Sequence, residues 1–153
     1  LSLGLSGEQL SRNDSLTSAG DITAWSLGGS FDLGVVKLLA GYRQSTVDNY
    51  AFATTGADAK RKGYMLALTA PVGPGLVKAA YNRYQDSQTG VADAKADHFA
   101  IGYVYSLSKR TSVYGTYAYL KNKNSGTRFS INGDAGLDNG KQQGLQMGLT
   151  HTF

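Results

Sequence analysis

The stretch that decides the fold is Gln143-Gly-Leu-Gln-Met-Gly-Leu-Thr-His-Thr-Phe153, the last segment of the chain. Its larger side chains share one parity and its small or polar side chains share the other, which predicts a strand that is apolar on one face only. The apolar parity consists of Leu145, Met147, Leu149, His151 and Phe153. A soluble sandwich can also end on such a strand, so the pattern becomes informative where earlier segments repeat it.

The composition favours a single all-β domain. The chain has 153 residues, of which 41% are hydrophobic and 17% are charged, and this suits one folded domain. Its 20 glycines and 10 tyrosines are poor components of a helical bundle but suit twisted sheets with tight turns and aromatic rims. No segment approaches the roughly 18 consecutive apolar residues that a membrane-spanning helix needs, which excludes a helical membrane protein and leaves a membrane β-barrel open.

The residue types that are missing exclude several classes of site. The chain contains no cysteine, so disulfides, thiolate metal sites and cysteine nucleophiles are excluded, and an oxidising compartment fits. The net charge of +4 is spread along the chain, whereas nucleic-acid-binding proteins concentrate cations in one patch, so we expect no nucleic-acid partner. The chain begins at Leu1 without an initiator methionine or a basic leader, and we expect it to be the mature or internal part of a longer product.

The alternation of the terminal segment recurs along the chain. The eight predicted strands are residues 1–9, 21–31, 36–43, 64–70, 77–84, 98–107, 112–123 and 143–153. The predicted long connections are 9–20, 45–62, 85–97 and 122–141, and the short turns are 32–34, 71–75 and 108–111. The strands are near the roughly 9 to 11 residues that a tilted transmembrane strand needs. The regular exchange of long and short connections predicts an antiparallel transmembrane β-barrel meander rather than a Greek-key sandwich.

The strand parities assign side chains to an outer and an inner face. The aromatic residues expected at the lipid interface are Trp25, Phe31, Tyr42, Tyr64, Tyr81, Tyr103 and Tyr105. Strand 112–123 is ambiguous, because both of its parities contain tyrosine. The set that we expect to face outward is Tyr114, Thr116, Ala118 and Leu120. This choice keeps Lys121 away from lipid.

The predicted strands carry only basic charges. All eleven acidic residues fall in predicted connections, turns or strand ends: Glu8, Asp14, Asp21, Asp32, Asp48, Asp58, Asp86, Asp93, Asp97, Asp134 and Asp138. The strand cations predicted to line the lumen are Lys37, Arg43, Lys78 and Lys121. Uncompensated cations are costly in a packed interior, so they indicate a water-filled lumen with a weak preference for anions. A generic solvated sheet face is the alternative interpretation.

Arg83 is the fifth strand cation, and its parity matches that of Tyr81, which directs it toward lipid. It lies near the long-connection end of its strand, where a long arginine side chain can reach the interface and contact lipid phosphates. A local bulge in the strand would also explain its position.

Five segments carry a resemblance to a known family: Ala24-Trp-Ser-Leu-Gly28, Val36-Lys-Leu-Leu-Ala-Gly-Tyr42, Val77-Lys-Ala-Ala-Tyr-Asn82, Ile101-Gly-Tyr-Val-Tyr-Ser-Leu-Ser-Lys-Arg-Thr111 and Gly144 to Phe153. They resemble the Gram-negative general porins, especially the betaproteobacterial type. The resemblance runs across nearly the whole chain but covers only the C-terminal half of such a porin. We therefore expect residues 1–153 to be the C-terminal portion of one outer-membrane β-barrel domain of about sixteen strands.

The resemblance implies a channel in the outer membrane of a Gram-negative bacterium, through which small hydrophilic solutes and ions diffuse passively. It also implies a homotrimer surrounded by outer-membrane lipid and lipopolysaccharide. The terminal strand, Leu145 to Phe153, resembles the signal that the outer-membrane assembly machinery recognises, and its closing partner is expected upstream of Leu1. The family's constriction loop and main arginine cluster belong to the N-terminal half, so neither is carried onto this chain.

We expect neither enzyme activity nor a cofactor. The sequence has no Gly-x-Ser-x-Gly elbow, no His-Glu-x-x-His helix, no phosphate loop and no dinucleotide fingerprint. His98 and His151 are far apart in sequence and lack a convergent ligand set, so we expect no metal site. Two other functions remain open. One is a small closed eight-stranded outer-membrane barrel with a structural or adhesive role, and the other is a soluble β-sandwich binding module.

Overall fold

The computed structural model describes residues 1–11, 20–48, 58–88, 91–124, 129–131 and 140–153. They form eight strands: β1 (Ser2–Leu10), β2 (Ile22–Asp32), β3 (Lys37–Val47), β4 (Ala59–Val72), β5 (Gly75–Gln88), β6 (Val91–Ser106), β7 (Thr111–Lys123) and β8 (Lys141–His151). Within these ranges, no helix is long and apolar enough to span a membrane. The predicted all-β class and the number of strands are confirmed.

All eight strands belong to one sheet with the order β1-β2-β3-β4-β5-β6-β7-β8, and each strand is antiparallel to the next. The predicted meander is therefore confirmed, and a two-sheet sandwich does not fit the described strands. In the described part of the chain β1 pairs with β2 and β8 pairs with β7, so these two strands are the edges of the sheet. A closed eight-stranded barrel would pair β1 with β8, so this arrangement does not favour it.

Local hydrogen bonds and glycines with positive φ shape the short turns. In the β2–β3 turn the Gly34 N–H donates to the Asp32 carboxylate at 2.8 Å, and the Leu33 N–H donates to the Val36 carbonyl at 2.9 Å. Gly34 has a φ of 86°, and Gly73 in the β4–β5 turn has a φ of 58°. Both values lie in the left-handed region that glycine adopts without a steric penalty. These glycines allow each strand to reverse direction tightly.

The predicted long connection over residues 85–97 is wrong. β5 continues to Gln88 and β6 begins at Val91, so the two strands form one extended hairpin with a register shift between Asp86 and Gln88. The polar composition of this segment predicted a loop, but cross-strand hydrogen bonds join backbone groups and do not require apolar side chains. The predicted connections 9–20 and 122–141 lie largely outside the described residues. The predicted bounds of the connection 45–62 are wrong, because β3 continues to Val47 and β4 begins at Ala59. Asp14, Asp134 and Asp138 also lie outside them.

Directly paired residues share one face of the sheet, so the register divides the strands into two faces. We call the face that contains Leu66 and Leu145 the apolar face, and the face that contains Arg43 and Lys78 the polar face. The most buried residues all lie on the polar face: Ala24, Val47, Ala59, Asp86, Ala94, Ala96, Leu120 and Asn122. This distribution indicates that the polar face is the concave side of the sheet.

The predicted orientation of β7 is wrong. Tyr117 lies between Ile101 and Leu145 in the register, and Lys121 lies between Asp97 and Lys141, so both belong to the apolar face. The polar face instead receives Tyr114, Thr116, Ala118 and Leu120. Both parities of β7 are similarly apolar, so hydrophobicity did not distinguish them. Lys121 can lie on the apolar face because it is close to the end of β7 at Lys123, where a long side chain reaches a polar environment.

Candidate functional site: the two faces of the sheet

The middle of the apolar face is a continuous uncharged band. One register row across β3 to β8 consists of Leu38, Leu68, Ala79, Ile101, Tyr117 and Leu145. Large members of this row are open to the surroundings, including Ile101 at 44% exposure and Leu145 at 71%. Monomeric soluble proteins rarely expose so extended an apolar surface. The band therefore fits an apolar environment on this side of the sheet.

All seven predicted interface aromatics lie on the apolar face, and they form two groups along the strands. Toward the long connections, Trp25, Tyr42 and Tyr64 form a ladder with ring centroids 5.0 Å apart at each step. Toward the short turns, the rings of Tyr103 and Tyr105 are 6.3 Å apart, and the Tyr103 hydroxyl donates to the Val72 carbonyl at 2.8 Å. Three further aromatics lie on this face: Phe99, which shares the parity of Tyr103 and Tyr105, and Tyr117 and Tyr119, which were predicted to face inward.

The predicted terminal signal is a regular strand on the same face. Leu145, Met147 and Leu149 are 71%, 75% and 62% exposed. The His151 Nδ1 lies 2.8 Å from the Thr111 Oγ1, and the His151 ring meets the Phe153 ring edge-on with centroids 4.9 Å apart. These contacts fix the end of β8 against β7 while its apolar side chains stay accessible.

The polar face carries four strand cations in two groups. Arg43 and Arg61 lie toward the long connections, and Lys37 and Lys78 share one register row toward the short turns with Thr69 between them. A row of small uncharged residues crosses the sheet between the two groups: Ala67, Ala80, Ala100, Ala118 and Gly144. The small side chains leave open space on the concave side between the two levels of charge.

The prediction that the strands carry only basic charges is wrong. Glu8 lies in β1, 3.8 Å from the Arg43 guanidinium, and Asp86 lies in β5, 3.4 Å from the Arg61 guanidinium. The sequence analysis missed Arg61 and the strand position of Asp86 because it ended the strands at the polar segments 45–62 and 85–97. Within the described ranges, no carboxylate lies within 4.0 Å of the Lys78 ammonium.

Residues 129–131 pack onto the polar face near the two arginines. Asn122, which is 1% exposed, donates its side-chain N–H to the Phe129 carbonyl at 2.9 Å. The Ile131 N–H donates to the Gln142 side-chain carbonyl at 2.7 Å. The Phe129 ring stacks on the Tyr84 ring with centroids 5.6 Å apart and an interplanar angle of 22°. The Phe129 and Tyr84 rings and neighbouring strand residues border a trough of about 1160 Å³, and its charged lining residues include Arg43, Arg61 and Asp86.

The comparisons with known proteins agree with this two-faced sheet. Residues 1–125 match a family model described as Gram-negative porin. The chain belongs to the Gram-negative porin family. It is 37% identical over 157 residues to outer membrane porin protein 32 of Delftia acidovorans, a match that covers 99% of this chain and 42% of that porin. It is 30% identical over 178 residues to an outer membrane porin protein of Bordetella pertussis, with 100% of this chain and 43% of that porin covered.

A solved porin structure has the same strand arrangement. The anion-selective porin from Comamonas acidovorans superposes with a TM-score of 0.77 at 35% sequence identity, over 99% of this chain and 44% of that chain. The chain therefore spans less than half the length of each of these porins.

Within this porin chain, the register separates the cations that the sequence analysis had grouped. Lys37, Arg43 and Lys78 lie together on the polar face, whereas Lys121 lies on the apolar face. Arg83 is also on the apolar face, as predicted, and no bulge occurs at its position because its pairing with Asp97 is regular.

A carboxylate on the apolar face holds several neighbouring groups of this porin. The Asp97 carboxylate accepts from the Arg83 guanidinium at 2.7 Å, the Lys123 ammonium at 2.6 Å and the Tyr81 hydroxyl at 2.7 Å. Charge-assisted hydrogen bonds of this length are among the stronger side-chain contacts. They fix the positions of a cation on β5 and a cation on β7.

The two histidines of the porin chain lie on opposite faces. His98 is on the polar face with its Nδ1 3.3 Å from the Asn82 side-chain nitrogen, and His151 is on the apolar face. In the described ranges no group of three or more histidine, aspartate or glutamate side chains could hold a metal ion.

Proposed function

We propose that this chain is the C-terminal portion of an outer-membrane porin barrel and forms part of the wall of a water-filled channel. Small hydrophilic solutes and ions diffuse passively through that channel in the outer membrane of a Gram-negative bacterium. The observation that carries the proposal is the division of one sheet into an exposed apolar face and a concave polar face. In a porin barrel the first face contacts lipid and the second lines water.

The two open edges support an origin in a longer barrel. β1 and β8 are the edges of the sheet, and unpaired backbone groups at such edges are costly where there is no water. Additional strands of a longer protein would pair with both edges and close the barrel. In that arrangement β8 is the closing strand. Leu145, Met147, Leu149, His151 and Phe153 then present the apolar signal that the outer-membrane assembly machinery recognises, and the closed barrels associate as homotrimers.

Lys37, Arg43 and Lys78 are proposed pore-wall residues, and Arg61 joins them. The polar-face strands carry these four cations and three carboxylates, namely Glu8, Asp32 and Asp86. An excess of one positive charge raises the local concentration of anions only modestly, so the channel is weakly anion-selective. The relative of known structure, described as an anion-selective porin, supports the same sign of selectivity.

The apolar face supplies the proposed membrane anchors. Trp25, Tyr42, Tyr64 and Tyr81 belong to the aromatic girdle near the long connections, and the girdle near the short turns contains Phe31, Tyr103 and Tyr105. Aromatic girdles of this kind mark the two membrane interfaces of outer-membrane barrels. Both matched relatives are named porins, and diffusion through a pore requires no catalytic step.

The proposal is tested with the complete protein in planar lipid bilayers. We expect stepwise conductance, and a salt gradient should give a reversal potential of the sign for weak anion preference. The double reversal Lys37→Glu with Arg43→Glu should move the reversal potential toward cations, and the neutral pair Lys37→Gln with Arg43→Gln should give an intermediate value. Absence of conductance would overturn the channel assignment. An unchanged reversal potential would overturn only the placement of these two residues on the pore wall.

A further inference from the structure

The trough on the polar face has a floor of glycines. Arg43, Gly63 and Tyr84 are directly opposite one another in turn across β3 to β5. Gly63 therefore separates Arg43 from Tyr84, and the backbones of β3 and β5 are two strand spacings, or roughly 10 Å, apart. In the next row toward the middle of the sheet, Gly28 is directly opposite Gly41. All five residues line the trough, and the missing side chains leave a cleft between a guanidinium and an aromatic ring.

The wall of the trough at β5 is an aromatic pair whose position is fixed. The Tyr84 ring stacks on the Phe129 ring with centroids 5.6 Å apart and an interplanar angle of 22°. The Phe129 carbonyl accepts from the Asn122 side chain, and Asn122 is itself held in the sheet at 1% exposure. Tyr84 nevertheless remains 37% exposed. The pair presents aromatic surface to the trough, and little entropy is lost in ordering it when a ligand binds.

The charged groups that reach the open space of the trough are hydrogen-bond donors. The Arg43 side chain is 63% exposed, and its contact of 3.8 Å with Glu8 is longer than a hydrogen bond. The Arg61 side chain is 50% exposed, whereas the carboxylate of its partner Asp86 is covered at 6% exposure. A guanidinium can bind a carboxylate through two parallel N–H bonds. The trough therefore combines accessible donors for a carboxylate with an accessible aromatic surface.

We propose that the trough is a binding site for solutes that carry a carboxylate on an aromatic ring, such as benzoate. The inference rests on the proposed function, because the polar face borders the path of a solute only in a water-filled channel. The carboxylate accepts from the Arg43 guanidinium, and the ring lies over Gly63 and contacts the aromatic pair of Tyr84 and Phe129.

Other small solutes use only part of this arrangement. An aliphatic carboxylate binds the guanidinium but lacks the ring-to-ring contact, which stabilises aromatic pairs beyond the area that they bury. A neutral sugar meets two guanidiniums and a covered carboxylate, so its hydroxyl donors have few charged acceptors. The trough therefore distinguishes among anions by the ring that carries the charge, and not by charge alone.

The test is a ligand-observed NMR titration of the complete protein in detergent, with benzoate, cyclohexanecarboxylate and benzamide as probes and protein-free micelles as the blank. The two acids have the same charge and similar size, and cyclohexanecarboxylate is the more apolar, so partition into detergent cannot produce a preference for benzoate. We expect benzoate to bind about fivefold more tightly than cyclohexanecarboxylate, because only its ring can stack. Benzamide lacks the charge and should bind about tenfold more weakly than benzoate.

Two variants and a matched control locate the binding. Tyr84→Leu should make the affinities for the two acids equal, since it removes the stacking surface but keeps an apolar side chain. Gly63→Leu should abolish saturable binding of both acids by filling the cleft. A Cβ at Gly63 would lie 3.9 Å from the Tyr84 Cδ1, an ordinary contact that the strand accommodates. The control Ala67→Leu adds the same kind of bulk to the polar face of β4 outside the trough, and it should leave benzoate affinity unchanged.

Equal affinity of the unmodified protein for the two acids would overturn the proposal, as would a benzoate preference that survives Tyr84→Leu. An equal loss of binding in Gly63→Leu and Ala67→Leu would also overturn it, and equal binding of benzamide and benzoate would overturn the role of the guanidinium. Chloride conductance of the unmodified protein in planar bilayers is recorded separately. Conductance without a benzoate preference would end this inference and leave the channel assignment intact, whereas a benzoate preference without conductance would support the site and overturn the channel assignment.

Discussion

The two faces of the sheet hold their charges in different ways. On the apolar face, Asp97 makes ion pairs of 2.7 Å with Arg83 and 2.6 Å with Lys123. On the polar face, Arg43 and Glu8 are 3.8 Å apart and their side chains are 63% and 71% exposed. The ion pairs beside the hydrophobic band are therefore short, whereas those on the side proposed to face water are longer, including the 3.4 Å pair of Arg61 with the buried Asp86.

The difference follows from the solvent expected on each side. A cation beside hydrocarbon is poorly hydrated and needs a protein or lipid partner, whereas a cation beside water keeps its hydration and needs none. Charges on the apolar face accordingly gather in rows next to the long connections, and Lys37 and Lys78 occupy the opposite end of the polar face. The comparison makes the identity of each face testable with paired variants.

The largest effect is expected from placing a charge in the middle of the apolar face. Leu145→Arg should destabilise the complete protein in lipid vesicles by about 2–4 kcal/mol, because arginine at mid-membrane depth is poorly solvated. The matched control is Gln146→Arg, the next residue on the polar face, which should change stability by less than about 0.5 kcal/mol. Denaturant unfolding in vesicles measures both. Similar destabilisation by the two variants would contradict the assignment of the faces.

An intermediate effect is expected from removing single lysines on opposite faces. Lys78→Gln should lower the ratio of anion to cation permeability by on the order of twofold, because it removes a positive charge next to the proposed aqueous path. Lys121→Gln should leave that ratio unchanged, since its side chain lies on the other side of the sheet. Reversal potentials in a salt gradient measure the ratio. A larger change with Lys121→Gln than with Lys78→Gln would restore the orientation of β7 that the sequence suggested.

The smallest effect is expected from the carboxylates that define the comparison. Asp97→Asn should lower stability by less than about 1 kcal/mol, because partly exposed ion pairs contribute little. Glu8→Gln should not change stability measurably, because its 3.8 Å contact with Arg43 is longer and more exposed. Denaturant unfolding in vesicles measures both variants. A larger loss of stability with Glu8→Gln than with Asp97→Asn would contradict the difference between the faces.

Sequence periodicity predicted most of the fold but not the limits of its strands. The alternation in β2, β4 and β8 identified the apolar face, because each of these strands has one parity that is clearly richer in large apolar residues. The β5–β6 hairpin was predicted too short because its outer part is polar. That error removed Asp86 from the strand and concealed its ion pair with Arg61.

The candidate site was predicted only in part for a related reason. Lys37, Arg43 and Lys78 were predicted to share one face because the opposite parity of their strands is apolar, and the register puts all three on the polar face. In β7 both parities carry tyrosines and small residues, so Lys121 was assigned to the inner face only because a charge in lipid is costly. This assignment was wrong because the residue lies near the end of its strand, where a lysine side chain can reach a polar environment.

The sequence by itself determined the all-β class, the meander and the apolar face of most strands, since alternation with a period of two is a local property of the chain. Only the tertiary structure decided which cations share a face, which carboxylates they meet and where residues 129–131 pack. Those features depend on the register between strands, and a shift of one residue transfers every side chain of a strand to the opposite face. The register of β7 against β6 and β8 is what joins Lys121 to Lys141 and separates it from Lys78.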